Sequence, residues 1–78
     1  MEKLNLEVLN EIFEEVIDLN NPQFLNLHEA LISFNEEIDE KEMADYLTEN
    51  FSVTCESELA DMADYERKSF VEYINSVY

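Results

Sequence analysis

The sequence contains no glycine, no tryptophan, one proline and one cysteine. Each scarcity closes a route. Two-residue hairpins need residues that accept positive φ, chiefly Gly and Asn, so a Gly-free chain is a poor candidate for a β-meander. Glycine-rich loops that cradle phosphate are absent too, and with them the nucleotide-binding fingerprints. A single cysteine rules out an intramolecular disulfide and any zinc site built on cysteines. No run of 18 apolar residues occurs, and the stretch from Met1 to Phe13 is amphipathic rather than signal-like. A soluble, cytoplasmic protein is the expectation.

Positive charge is the other scarcity. Four Lys and Arg stand against 20 Asp and Glu among 78 residues, a net charge of −16 with the single His neutral. Binding to nucleic acid through its phosphates requires a Lys/Arg surplus that releases counterions, so that partner class is excluded. Anionic membrane surfaces repel the chain for the same reason. A protein partner should therefore present a basic surface. Disordered acidic tails lack apolar content, whereas this chain is 46% hydrophobic and 12% aromatic. Residues 1–78 are expected to form one domain, a monomer when free. A chain this short buries only about 60% of its unfolded surface, and like-charge repulsion narrows its margin further.

Hydrophobic periodicity predicts an all-α fold, a small bundle of three to four helices. From Leu4 to Leu19, Leu6, Leu9, Phe13, Val16 and Ile17 recur at helical spacing, with Glu7, Glu11, Glu14, Glu15 and Asp18 on the other side. Asn20-Asn21-Pro22 should end that helix in a turn. From Gln23 to Asn35 the apolar density is too high for one exposed helix. Asn26-Leu27-His28-Glu29 fits a capping box opening a short helix, and a long packed loop with one helical turn fits equally. Glu36 to Phe51 reads as a helix with the stripe Ile38, Met43, Tyr46, Leu47 and Phe51. After an extended connector, Ser57 reads as the N-cap of a short helix over Glu58–Met62. Asp64 to Arg67 then starts a last helix carrying Phe70, Tyr73, Ile74 and Val77. One unbroken helix from Ser57 to Val77 is the alternative.

The pattern resembles the acyl carrier protein family over nearly the whole chain. Leu9-Asn10-Glu11-Ile12-Phe13-Glu14-Glu15-Val16-Ile17-Asp18-Leu19 is similar to that family's opening helix. Glu42, Met43, Leu47, Phe51 and Val53 fall without a gap on its second-helix pattern D-S-L-x-x-x-E-L-x-x-x-L-E-x-x-F-x-V. The segments Glu58-Leu59-Ala60-Asp61-Met62 and Phe70-Val71-Glu72-Tyr73-Ile74 are similar to its third and last helices. In that family the serine of D-S-L carries 4′-phosphopantetheine at a helix N-terminus, where backbone N–H groups favour an anion. Glu37 occupies that position here, and a carboxylate cannot accept the arm. Ser33 is the nearest substitute, but it lacks the preceding Asp and lies four residues, about one helical turn, too early. The resemblance thus implies a carrier-like module without the prosthetic arm, docking a basic partner through its acidic second helix. Its candidate docking residues are Glu36, Glu37, Asp39, Glu40, Glu42, Asp45 and Glu49. A rival resemblance is to viral DNA mimics that inhibit host nucleases, carried by the small acidic helical character and by Leu27-His28-Glu29-Ala30-Leu31. Docking predicts charge focused on the second helix, whereas mimicry predicts acids in rows across all helices.

No residue demands catalysis. Cys55 has no Lys, Arg or second Cys close in sequence to depress its pKa, and it reads as a small buried hydrophobe. His28 has no partner set for nucleophilic or metal chemistry, so a structural role is expected. Glu36, Glu37, Asp39 and Glu40 offer hard oxygen ligands, but EF-hand spacing is missing and no resident metal is expected. Tyr46, Tyr65, Tyr73 and Tyr78 read as the edge of the core.

Charge and size together predict a salt-dependent stability. Raising NaCl from about 0.01 M to about 0.15 M shortens the Debye length from about 30 Å to about 8 Å. The thermal midpoint, followed by circular dichroism, should rise by several degrees; a flat or falling response would show that self-repulsion does not limit the fold.

Overall fold

A computed structural model describes residues 3–19 and 23–78. The turn expected at Asn20-Asn21-Pro22 lies outside them. The described residues contain helices and no strand, an all-α bundle as the periodicity predicts. Helix α1 spans Leu6–Leu19, α2 Leu25–Leu31, α3 Glu40–Phe51 and α4 Asp64–Val77, with a 3₁₀ helix at Glu56–Asp61 between the last two.

Helix α1 starts two residues later than its apolar pattern suggests, because Asn5 caps it. The Asn5 side-chain oxygen accepts the Val8 N–H at 2.9 Å, and the Leu9 N–H bonds the Asn5 carbonyl. Leu4 lies just outside the helix and is buried in the same core as Leu9, the arrangement of a hydrophobic staple. Leu9, Phe13 and Val16 are buried, while Glu7, Glu11, Glu14, Glu15 and Asp18 face solvent.

Between Gln23 and Asn35 the chain forms a short helix rather than a packed loop. Its start is not the capping box at Asn26, which lies within the first turn. Phe24 holds the N-cap position and has no side-chain acceptor to offer. The missing cap comes from 29 residues away: one Glu56 carboxylate oxygen accepts the Leu27 N–H at 2.8 Å and the other accepts the Asn26 side-chain amide at 3.1 Å. Glu56 is completely buried. This arrangement also turns Phe24, Leu27 and Leu31 into the core and leaves Leu25 outside, which accommodates the apolar density of the segment.

Helix α3 begins at Glu40, not Glu36. The Asn35 side chain accepts the Glu37 N–H at 2.9 Å, and the Ile38 carbonyl lies 2.7 Å from His28 Nε2. Those bonds commit the backbone before the helix, and Asp39, in extended conformation, caps it by accepting the Glu42 N–H at 3.0 Å. At the other end Ser52 adopts φ 58°, ψ 30°. Its N–H bonds Thr48 and the Val53 N–H bonds Leu47, closing the last turn in the left-handed form usually given to glycine. A glycine-free chain uses serine there.

Two helices, not one, follow. Met62 and Ala63 are extended between the 3₁₀ helix and α4. Arg67 holds the break, with Nε donating to the Met62 carbonyl at 3.0 Å and an Nη donating to the Leu59 carbonyl at 3.2 Å. The Ala63 N–H bonds the Glu66 carboxylate at 2.9 Å. Ser57 lies inside the 3₁₀ helix and Cys55 holds the N-cap position, so the expected cap is displaced by two residues. Cys55 is also only half-buried, its Sγ 3.2 Å from Ser57 Oγ; the core position belongs to its neighbour Glu56.

The core joins all five elements through Phe13, Phe70, Leu27, Met43, Leu47 and Leu59, each fully buried. Because α2 is far shorter than the 12–15 residues at which isolated helices become even marginal, its cap is a direct test of the packing. Glu56→Leu should cost about 1–3 kcal/mol by leaving the Leu27 N–H unpaired, whereas Glu37→Ala on the surface should stay within about 0.5 kcal/mol. Urea unfolding measures both, and equal stabilities would remove Glu56 from its structural role.

Candidate functional site

The seven candidate acids do not share one helix. Glu36 and Glu37 lie in the turn before α3, Asp39 is its cap, and Glu40, Glu42, Asp45 and Glu49 lie within it. Six are exposed and Glu40 is half-buried. Glu37 is therefore not at a helix N-terminus, where the resemblance implies it, but two residues before the cap. Ser33 is exposed, and its hydroxyl donates to the Ala30 carbonyl at 2.7 Å. It lines an open hollow of about 570 Å³ together with Ile32, Phe34, Asn35, Glu36 and Glu37.

The segment carrying these acids is anchored by the last residue of the chain. Asn35 donates its side-chain amide to the Tyr78 main-chain carbonyl at 2.7 Å. The Tyr78 hydroxyl donates to Glu42 at 2.9 Å and accepts the Asp39 N–H at 3.3 Å. The residue pattern puts Tyr78 only at the core edge; nothing in it signals a contact with α3, 36 residues earlier. Tyr46 and Tyr73 are half-buried at the edge as expected and stack face to face, with centroids 3.8 Å apart. Tyr65 departs from that expectation and is 73% exposed.

The positive charges do little to offset this surface. Lys3, Lys41 and Lys68 are exposed, but Arg67 turns inward: its other Nη donates to Asn10 at 2.9 Å and its guanidinium lies 5.1 Å from the Phe13 ring centroid. His28 is engaged with Ile38, the structural role its isolation predicts. Among the described residues, no cluster of three or more His, Cys, Asp or Glu could hold a metal ion, and no helix is long and apolar enough to cross a membrane. Acids are exposed on every α-helix, and α1 alone presents five.

Compared with models of known protein families, with curated proteins and with solved structures, the chain matches none.

Protonation adds direction to this picture. Burial, with Glu42 and Tyr73 beside it, pushes the Tyr78 hydroxyl well above the ordinary tyrosine value. Burial, followed by Tyr73 and Glu72, pushes Tyr46 up as well. The Glu58 carboxyl is held below its usual range by the N–H and hydroxyl of Thr54, at 2.6 Å and 2.7 Å. A raised tyrosine favours folding while neutral, so its contribution is complete below about pH 10 and is lost as pH rises through the folded value. Glu58 acts at the opposite end: its contribution is present above the ordinary carboxylate range and is lost as pH falls through its lowered value. Tyr78→Phe should therefore lose less stability than the parent chain between neutral pH and about pH 12, read by urea unfolding across pH. An unchanged alkaline limb would show that the Tyr78 hydroxyl is not part of the contact with α3.

Proposed function

We propose that this protein is a non-enzymatic binding module with an acyl-carrier-like body, working without a phosphopantetheine arm. It docks on a basic surface of a partner protein through the acidic segment from Glu36 to Glu49. The observation that carries the reading is the presentation of that segment: six of its seven carboxylates are exposed on backbone pinned by Asn35, the Asp39 cap and Tyr78. Preorganised charge steers encounter and costs little ordering on binding. Glu37 supplies negative charge near the place where a carrier would hold its phosphate, and so imitates a loaded carrier without accepting an arm.

One observation favours DNA mimicry instead: the five exposed carboxylates on α1 make the charge less focused on α3 than the sequence pattern implies. Duplex DNA carries one charge per about 1.7 Å of axis, and acids spread over several helices can imitate it.

Two competition experiments separate these readings. Added to a reaction in which a broad-specificity phosphopantetheinyl transferase modifies a genuine carrier protein, the chain should inhibit competitively and gain no mass itself. Glu42→Lys combined with Glu49→Lys should weaken that inhibition roughly tenfold with the circular dichroism spectrum unchanged. Absence of inhibition would remove carrier-like docking. Stoichiometric displacement of duplex DNA from a restriction nuclease, lost with Glu11→Lys plus Glu15→Lys, would put mimicry in its place.

A further inference from the structure

Helices α3 and α4 meet through aromatic rings and run antiparallel, since Tyr78 reaches Asp39 and Glu42 while the Tyr46 hydroxyl reaches the Ser69 carbonyl. Phe51 meets Tyr46 edge-on at 5.6 Å, Tyr46 stacks on Tyr73, and Tyr78 meets Tyr73 edge-on at 6.3 Å. These four rings form a continuous row along the seam, and every one is half-buried rather than covered. On α4 the row continues outward. Tyr65, Ser69, Tyr73 and Val77 follow at four-residue spacing, which puts them on one stripe. Tyr65 is 73% exposed and Val77 54% exposed, two of the four large apolar side chains that face solvent among the described residues.

Acids line this apolar strip on both sides. Glu42 and Glu49, four residues before and three after Tyr46, flank it on α3, and Glu72 lies next to Tyr73 on α4; all three are exposed. Lys41 lies five residues from Tyr46, about 140° around the helix at 3.6 residues per turn, whereas exposed Lys68, three residues after Tyr65 and four before Glu72, lies beside the strip. The strip is apolar along its middle, and its margins carry three carboxylates against one cation, Lys68. A second copy of this chain, carrying −16, would bring like charge against like, and nucleic acid or an anionic bilayer would do the same. The complementary occupant has an apolar face bordered by cations.

From this we infer that the α3–α4 seam is a docking groove for a basic amphipathic helix of a partner protein, whose apolar face lies on the tyrosine row and whose Lys and Arg side chains meet Glu42, Glu49 and Glu72. The inference rests on the docking reading above and moves its centre: half of the contact belongs to α4, which the acidic segment from Glu36 to Glu49 does not include. Helix-in-groove recognition supplies the energetic logic, with area burial setting affinity and flanking charge setting orientation.

The test uses two synthetic peptides of equal length and equal positive charge, both free of Tyr and Trp. One is an amphipathic Leu/Lys helix, and in the other each Leu is replaced by Ser. With no tryptophan in the chain, tyrosine emission reports the seam directly, and calorimetry gives the affinities at physiological ionic strength. The amphipathic peptide should bind roughly tenfold tighter or better, given about 1.5–3 kcal/mol for each fully buried Leu. Glu72→Lys should weaken it roughly fivefold, while Glu11→Lys, the same charge change on exposed α1, should alter it less than about twofold. Equal affinities for the two peptides, or equal losses from Glu72→Lys and Glu11→Lys, would overturn the seam. If the transferase competition still depended on Glu42 and Glu49, the docking reading would stand without it. Loss of both effects would overturn both.

Discussion

A carboxylate with no solvent contact holds the bundle together. Glu56 is the one charged side chain fully inside the described core, and it is there because α2 begins at Phe24, which cannot cap it. Seven residues of helix have no independent stability, so the orphan N–H groups of the first turn require an acceptor from elsewhere in the fold. Glu56 provides it and accepts the Asn26 amide with its second oxygen. Removing one partner of such a contact exposes the full desolvation cost of the other. That anchor acts with the buried Phe24, Leu27 and Leu31 to set the position of α2, and through it the His28 contact to Ile38 ahead of α3.

Arg67 plays the corresponding part at the opposite end of the 3₁₀ helix. It takes two main-chain carbonyls and Asn10, and it covers the Phe13 ring. The buried Glu56 and the half-buried Arg67 are both satisfied by neutral polar groups, and among the described residues no buried side-chain nitrogen or oxygen lacks a partner. Turning Arg67 inward also withdraws one of only four cations from the surface. The outer field is therefore less compensated than the composition suggests, on a body measuring 28 × 23 × 22 Å. Those dimensions put most surface carboxylates within about one Debye length of one another at low salt, about 30 Å, which ties the binding behaviour of the surface to the cost of folding it.

The proposed docking function depends on the same economy. The turn from Asn35 to Asp39 closes on one main-chain bond, the Ile38 N–H to the Asn35 carbonyl at 3.3 Å, and is held besides by the Asn35 side chain, the α3 cap and the Tyr78 hydroxyl. Tyr78 links the acidic segment to the aromatic seam, because the ring that touches Tyr73 also carries the hydroxyl that meets Glu42. Charge and apolar surface thus lie side by side on one face of the molecule.

Much of this was legible in the residues. The all-α class, the outward acids of α1, the stripe of Met43 and Leu47, the break after Phe51 and the structural role of His28 follow from periodicity and local chemistry. The break at Met62 and Ala63 is one of the two readings the residues allow; the late start of α3, the Phe24 start of α2 and the exposure of Tyr65 are not legible there. The two helix starts turn on side-chain hydrogen bonds that local apolar periodicity does not register, Asn35 to Glu37 and Glu56 to Leu27, and the bond from Arg67 to Met62 decides between the two readings of the break. Glu56 shows the limit most clearly. Its sequence neighbours, Cys55 and Ser57, give no sign that the glutamate rather than the cysteine enters the core. Apolar periodicity made the protein helical and composition made it anionic, since periodic apolar residues act locally and a deficit of cations acts in sum. Which acids are presented, which one is buried and which aromatics share their face were decided only by tertiary structure, because those outcomes require partners tens of residues apart to meet.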